Sequence, residues 1–167
     1  MLIGHLPVGY FVTRSLIKKL KLPTNKLWLG LGLMAAILPD FDIAYTILIK
    51  ESLGSHRYYN TNYPAIYLIL LALSIIVYFL IRKEWLKLGI IIVFVNIFIH
   101  LLIDTVFVGI KWFWPFYDNL IGIYNVGLTG GVIVENYFTH WYWYLEIVLW
   151  IAATVSVIIS YKKGELR

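Results

Sequence analysis

Histidine and aspartate, which bind divalent metals readily, occur at only a few places in this very apolar chain. The candidates that could share one ion are far apart in sequence: His5, Asp40, Asp42, His56, His100 and Asp104, with His140 as a weaker candidate. Each lies near an end of an apolar segment, and the topology derived below places them at the same side of a membrane. Because a carboxylate or imidazole at membrane depth is costly without a partner, this pattern indicates a binding site.

The most regular spacing lies in one apolar segment. Asn96, His100 and Asp104 are four residues apart, which places them on one stripe of a helix. A His and an Asp one turn apart can bind the same ion, but polar residues of membrane helices also form interhelical hydrogen bonds. The spacing alone leaves both interpretations open.

Two aspartates follow a proline in the sequence Pro39-Asp40-Phe41-Asp42. Pro39 disfavours helical geometry at Leu38, so we expect a helix to bend or fray where the two carboxylates arrive. Broken helix ends are where polar groups gather in membrane proteins, although an aspartate can also simply cap a turn. Each aspartate is therefore a candidate metal ligand or general base.

Four other residues have weaker signals. His56 and Arg57 share the most polar loop, where an imidazole suits zinc and a guanidinium suits a phosphate, yet such a pair is also typical of a solvated loop. His5 is a candidate only because it converges with the others. Glu146 lies inside the last apolar segment, where it could be a base behind a ligand, an extra ligand or a helix–helix hydrogen bond.

The composition places the helices that carry these residues in a membrane. Hydrophobic residues make up 61% of the 167 residues, charged residues 14%, and the mean hydropathy is +0.81. Since each span needs ~20 apolar residues, one domain over residues 1–167 has room for about five. We therefore predict an all-α, polytopic membrane bundle with spans at about 2–20, 27–49, 64–81, 86–108 and 141–161, and an outer interfacial segment over 109–140.

The distribution of cations predicts the orientation of the helices. If the first segment spans with the N-terminus outside, all of the 14 Lys and Arg residues lie inside except Lys50, Arg57 and Lys111. The C-terminus is then inside and the candidate site faces outside. In the alternative topology the first segment lies on the inner surface as an amphipathic helix, which leaves His5 on the wrong side of the membrane.

The motifs together resemble those of a known family, the YdjM-like membrane-bound metal-dependent hydrolases. The resemblance covers about residues 1–116 and rests on five motifs in order: Gly4-His5, Leu38-Pro39-Asp40-Phe41-Asp42, His56-Arg57, His100 to Asp104, and Trp114-Pro115-Phe116. It implies a protein of the cytoplasmic (inner) membrane. A more distant resemblance to zinc-dependent phospholipase C and single-strand nucleases implies phosphoester hydrolysis, and extends best to His100 and Asp104.

The sequence departs from this family at one motif. The family continues its His-Arg motif with a second His, whereas this chain has Tyr58 to Asn62 there. Either another side chain substitutes, or fewer metals are bound, or activity is lost. The candidate substitutes are Asn60, Thr61, Glu135 and His140.

The resemblance and the residues together predict a hydrolase that acts on a phosphoester of an amphiphilic or lipid substrate at the outer membrane surface. Its cofactor is expected to be one to three divalent ions, with zinc as the expected metal, since imidazole suits zinc. The chain has no cysteine, so the available ligands are His, Asp and Glu. Arg57 would offset phosphate charge. The expected partner is membrane lipid, and no nucleic acid is expected. The alternative is a non-catalytic metal-binding membrane protein, either a scaffold or transporter-like.

Overall fold

The regular structure of this computed structural model is helical throughout the residues it describes, which are 3–23, 26–41, 62–107, 109–123 and 141–165. The helices in chain order are α1 (His5–Lys19), α2 (Lys26–Ile37), a 3₁₀ helix (Leu38–Asp40), α3 (Pro64–Ile81), α4 (Glu84–Phe107) and α5 (Trp141–Lys162). Within these ranges, strand-like pairing is limited to an isolated antiparallel bridge between Ile110 and Ile121. The all-helical prediction is confirmed for this part of the chain.

Among the described helices, three are long and apolar enough to cross a membrane. They are α3, α4 and α5, with 18, 24 and 22 residues. The mean hydropathy over an 18-residue stretch of each is 2.6, 2.5 and 1.8. The helix α1 has 15 residues, and α2 has 12 before the 3₁₀ helix follows it. The second half of the predicted span 27–49 lies outside the described residues.

Two prolines set helix boundaries. Pro64 lies in the first turn of α3, where its missing N–H removes no helical hydrogen bond. Pro39 cannot donate the hydrogen bond that would continue α2, and the chain changes to 3₁₀ geometry at Leu38. The break expected at Pro39 is therefore present, and it places Asp40 at the end of a short tight helix.

Small residues let α1 and α2 pack closely. A Cβ atom on Gly9 would overlap the Cβ of Ala36, and one on Gly32 would overlap the side chain of Thr13. Membrane helices commonly associate through such small residues. The buried side chain of Asn96 joins α4 to this pair, because its Nδ2 donates a hydrogen bond of 3.1 Å to Thr13 Oγ1.

The segment after α4 folds back onto the end of that helix. Its residue Ile110 is buried in the hydrophobic core. The backbone N–H of Gly109 donates to the carbonyl of Asp104 over 2.8 Å, and Trp112 Nε1 donates to Thr105 Oγ1 over 2.7 Å. These contacts fix the last turns of α4, which carry Asp104.

The helix α5 is joined to α1 near both of its ends. At one end, the backbone of Ile3 donates to Glu146 Oε2 over 3.1 Å and accepts a hydrogen bond of 2.9 Å from Trp150 Nε1. At the other end, Arg14 Nη2 donates to Glu165 Oε2 over 2.6 Å. The two helices are therefore fixed in register, and the start of α1 has a defined position.

Candidate metal centre

Four of the candidate ligands meet at one end of the bundle. His5 comes from the first turn of α1, Asp40 from the 3₁₀ helix, and His100 and Asp104 from the last two turns of α4. Each offers one ligand atom, and these atoms all lie within 4.8 Å of one another. Residues that are up to 99 positions apart in sequence thus form a group that could bind a metal ion.

Each imidazole of this group faces both carboxylates. His5 Nε2 lies 3.1 Å from Asp104 Oδ1 and 3.8 Å from Asp40 Oδ2. His100 Nε2 lies 3.4 Å from Asp104 Oδ2 and 3.5 Å from Asp40 Oδ1. Four ligands at ~2.0 Å from a tetrahedral zinc ion are ~3.3 Å apart. Each imidazole thus has carboxylate oxygens at about this separation, and with one ligand atom per residue all four atoms lie within 4.8 Å of one another.

A backbone contact orients His100. Its Nδ1 lies 2.7 Å from the carbonyl oxygen of Ala36. Ala36 belongs to the last turn of α2, where carbonyls lack the usual N–H partners within the helix. A proton on Nδ1 satisfies this carbonyl and leaves the lone pair of Nε2 directed at the carboxylates, which are acceptors as well.

Acceptors that face one another need a proton or a cation between them. A metal-binding histidine usually binds the ion through one ring nitrogen and donates the N–H of the other to an acceptor such as a carbonyl. The rings of His5 and His100 also stack, with centroids 3.7 Å apart and planes at 21°. Two protonated rings would repel at this distance, whereas a single ion held by both nitrogens and the two carboxylates would not require either ring to be charged.

Of the four side chains in the group, that of Asp40 is the most exposed. The side chains of His5 and His100 are 2% and 1% exposed and that of Asp104 is 7% exposed, whereas that of Asp40 is 17% exposed. Two apolar neighbours of Asp40, Leu38 and Phe41, are exposed as well. A ligand from outside would therefore reach the group at Asp40, beside an apolar surface.

The other candidates that the sequence predicted are distributed differently. Glu146 is fully buried on α5 and accepts the hydrogen bond from Ile3, two residues before His5. This hydrogen bond joins α5 to the residues just before α1 and helps to place α1. The roles of Glu146 as a base behind a ligand or as an extra ligand stay predictions. The remaining candidates lie outside the described residues, and their roles stay predictions: Asp42, His56, Arg57, Asn60, Thr61, Glu135 and His140.

Sequence reasoning missed two contributions at this end of the bundle. The carbonyl of Ala36 has no side-chain signature, although Pro39, three residues later, signals that carbonyls become available there. Lys111 was counted only as an outer cation, but its side chain is 4% exposed and its Nζ lies 2.6 Å from Asp118 Oδ1. The hydrogen bond to Asp118 raises the pKa of Lys111 above its ordinary 10.5, and the pair holds the segment after α4 in its fold.

Apolar helices and a largely buried group of two histidines and two aspartates place this chain in the class of membrane proteins with a candidate metal centre. Within this class, the chain belongs to the YdjM inner membrane protein family, whose model matches residues 1–165. The family resemblance seen in the motifs is thereby confirmed. Comparisons with curated proteins and with solved structures found no match.

Proposed function

We propose that this protein is a metal-dependent hydrolase of the inner membrane, acting on a phosphoester of an amphiphilic or lipid substrate at the outer surface. One observation carries the proposal: the ligand atoms of His5, Asp40, His100 and Asp104 lie within 4.8 Å of one another. Imidazole and carboxylate are common zinc ligands, and three such side chains with one open position form the usual catalytic arrangement. Ionisable groups enclosed in an apolar bundle are costly to maintain, which favours a function for them.

In this proposal His5, His100 and Asp104 bind the ion, and Asp40 completes the ligand set or accepts a proton as general base. The carbonyl of Ala36 favours the tautomer of His100 that carries its proton on Nδ1, and Asp40, the most exposed of the four side chains, lies where an incoming group would arrive. When bound, a divalent ion, with zinc as the expected metal, supplies the Lewis acidity that activates water and stabilises charge on a phosphoester. Additional ions, up to three in all, would need ligands such as Asp42 and His56.

An amphiphilic substrate fits the surroundings of Asp40. Leu38 and Phe41 are 40% and 48% exposed, and Phe116 in the segment after α4 is 95% exposed. Such side chains suit the interface between headgroups and acyl chains, so a lipid could present its phosphoester to Asp40 while its chains stay in the membrane. Arg57 would then bind a phosphate oxygen.

The proposed topology has all five helices crossing as one domain over residues 1–167, with the N-terminus and the site outside and the C-terminus inside. The proximity of His5, which begins α1, to Asp104, near the end of α4, supports it. If α1 lay on the opposite surface, these residues would be separated. The helix α1 is ~22 Å long for its 15 residues, so crossing a core of ~30 Å requires its flanking residues or a locally thinner bilayer.

The second candidate function is metal binding without turnover. It is favoured by the closed character of the group, since three of its four side chains are at most 7% exposed and structural metal sites are typically closed. The absence of a second His between Tyr58 and Asn62 favours it as well. In that case the ion would stabilise the arrangement of α1, α2 and α4.

Hydrolysis by the purified protein in lipid nanodiscs tests the proposal. We expect product release from a phospholipid or a chromogenic phosphodiester, and a loss of more than about 100-fold in the Asp104→Asn variant, since changes around ligands alone cost about 10–100-fold. A chelator should abolish activity, and zinc should restore it. Glu84→Gln removes a 65% exposed carboxylate at the opposite end of α4 and should retain full activity. A zinc-loaded wild type that hydrolyses neither substrate would contradict the hydrolase and support the second candidate.

A further inference from the structure

A groove lies between α1 and α4 on the surface of the bundle. Its volume is about 370 Å³, and it is lined by Phe11, Val12, Ser15, Leu16 and Lys19 of α1 and by Val95 of α4. This volume is in the range of small-molecule sites, ~300–1,000 Å³. The groove shares no lining residue with the candidate metal centre, and Lys19 lies at the opposite end of α1 from His5.

The lining of this groove changes from apolar to cationic along α1. Phe11, Ser15 and Lys19 are spaced four residues apart, so they form one stripe of the helix. Eight residues of helix rise ~12 Å, which is close to the thickness of one leaflet of a hydrocarbon core of ~30 Å. If α1 crosses the membrane as in the proposed topology, the phenyl ring of Phe11 lies near mid-membrane depth, and the hydroxyl of Ser15 and the ammonium group of Lys19 lie towards the membrane surface.

We propose that this groove binds one anionic phospholipid from the leaflet opposite the metal centre. An acyl chain would lie along Phe11, Val12 and Leu16, and the phosphate would meet Ser15 and Lys19. A hydroxyl and an ammonium group both donate hydrogen bonds to phosphate oxygens. The groove lining changes from apolar to cationic in the same direction in which a phospholipid changes from acyl chain to anionic headgroup.

Charge complementarity selects an anionic lipid over a neutral one. Lys18, Lys19 and Lys21 are exposed at this end of α1. In the proposed topology this end faces the cytoplasmic leaflet, where anionic lipids attract basic segments next to the membrane. The proposal itself requires only that the groove and the metal centre lie in opposite leaflets.

The neighbouring cations of α1 have other environments, which makes a matched control available. Arg14 is directed towards the end of α5, where it donates to Glu165 Oε2 over 2.6 Å, and it also donates to the hydroxyl of Tyr10 on its own helix over 3.0 Å. Lys18 is exposed and adjacent to Lys19 but does not line the groove. Neutralising Lys18 therefore removes the same charge from almost the same place without altering the lining.

Native mass spectrometry of the full-length protein, titrated with phosphatidylglycerol or phosphatidylcholine, tests this inference. We expect one phosphatidylglycerol to bind more tightly than any phosphatidylcholine. Lys19→Gln should weaken that binding about fivefold, as expected for one lysine near an anionic surface, whereas Lys18→Gln should change it less than twofold. Val12→Phe, which fills the apolar part of the groove, should weaken binding of both lipids.

Three results would overturn the inference. Equal losses in the Lys18→Gln and Lys19→Gln variants would mean that overall charge gathers anionic lipids, and equal binding of both lipids would mean that the headgroup is not recognised. Unchanged binding in a folded Val12→Phe variant would place the lipid elsewhere. If that variant does not fold, the two lysine variants still decide. The readout requires neither bound metal nor hydrolysis, so it is independent of the proposed activity.

Discussion

Each histidine of the candidate centre is held by a contact outside the group of four ligands. His100 has its Nδ1 at 2.7 Å from the carbonyl oxygen of Ala36. His5 follows Ile3, whose backbone N–H and carbonyl are bound by Glu146 and Trp150 of α5. Because ring orientation is fixed before an ion arrives, binding loses less side-chain freedom than it would with mobile ligands. The contacts behind the ligands should therefore affect metal affinity.

The contact from Glu146 provides the first prediction. Glu146→Ala leaves the backbone N–H of Ile3 without its acceptor and loosens the start of α1, so zinc affinity should fall about 10-fold. Glu146→Gln retains an acceptor oxygen and should stay within about threefold of the wild type. Competition with a chelator of known zinc affinity measures both. Equal affinities for Glu146→Ala and the wild type would show that this contact does not position His5.

The sequence predicted part of this site for clear physical reasons. The helical spacing of His100 and Asp104 required no knowledge of the tertiary structure, and His5 followed from the topology that charge counting favoured. The role of Ala36 could not be predicted, because a backbone carbonyl becomes available through the end of a helix and its partner comes from another helix. Glu146 was recognised as significant, but its hydrogen bond to Ile3 could not be predicted, because the donor is a backbone N–H just before α1 and has no side-chain signature.

At the scale of helices, the close packing of α1 on α2 controls the position of the carbonyl that orients His100. Gly9 lies against Ala36, and no side chain larger than hydrogen fits between the helices there. Gly32 makes a similar approach to Thr13. In contrast, a Cβ on Gly30, also in α2, would have no neighbour within 4 Å. A methyl group added at Gly9 or Gly32 would therefore overlap a neighbouring side chain, whereas one added at Gly30 would not.

A second prediction follows from this difference. Gly9→Ala should destabilise the protein by about 1–3 kcal/mol, the usual cost of overpacking, and should weaken zinc binding as Ala36 is displaced. Gly30→Ala should be neutral or stabilising by up to about 1 kcal/mol, because alanine favours a helix. Unfolding in mixed micelles with increasing SDS measures both stabilities. Equal unfolding midpoints for the two variants would contradict the packing account.

The helices themselves were the easier part of the fold to predict. The segment predicted at 64–81 is helical over Pro64–Ile81, and the one predicted at 86–108 is helical over Glu84–Phe107. Long apolar runs bounded by Pro, Lys and Arg give strong signals. The change at Leu38 to a 3₁₀ helix was expected only as a bend or fray, since Pro39 excludes a hydrogen bond without specifying what replaces it.

At the scale of the whole molecule, the two ends of the bundle differ in chemistry. The candidate centre, Lys111 and the aromatic segment after α4 lie at one end. The exposed lysines at the C-terminal ends of α1 and α5 lie at the other, where Arg14 also pairs with Glu165. The positive-inside rule assigns the end richer in lysine and arginine to the cytoplasmic side. The unequal distribution of cations between the two ends therefore supports a site that faces outside.

The third prediction concerns this orientation. Because the chain has no cysteine, single Phe116→Cys and Lys83→Cys variants each carry one thiol. A membrane-impermeant maleimide is added to cells under conditions in which it reaches the inner membrane without crossing it. It should label the Phe116→Cys variant in these cells. It should label the Lys83→Cys variant only after the inner membrane is disrupted. The opposite pattern would reverse the topology and place the site on the cytoplasmic side.

Metal content of the purified protein tests the central claim most directly. The four converging side chains predict at least one divalent ion per wild-type chain, by elemental analysis of protein purified without chelators. A His100→Ala, Asp104→Ala double variant should hold none, while Glu84→Gln should match the wild type. If the folded wild type carries no more divalent metal than the double variant, the group is not a metal centre and the proposed hydrolase is wrong.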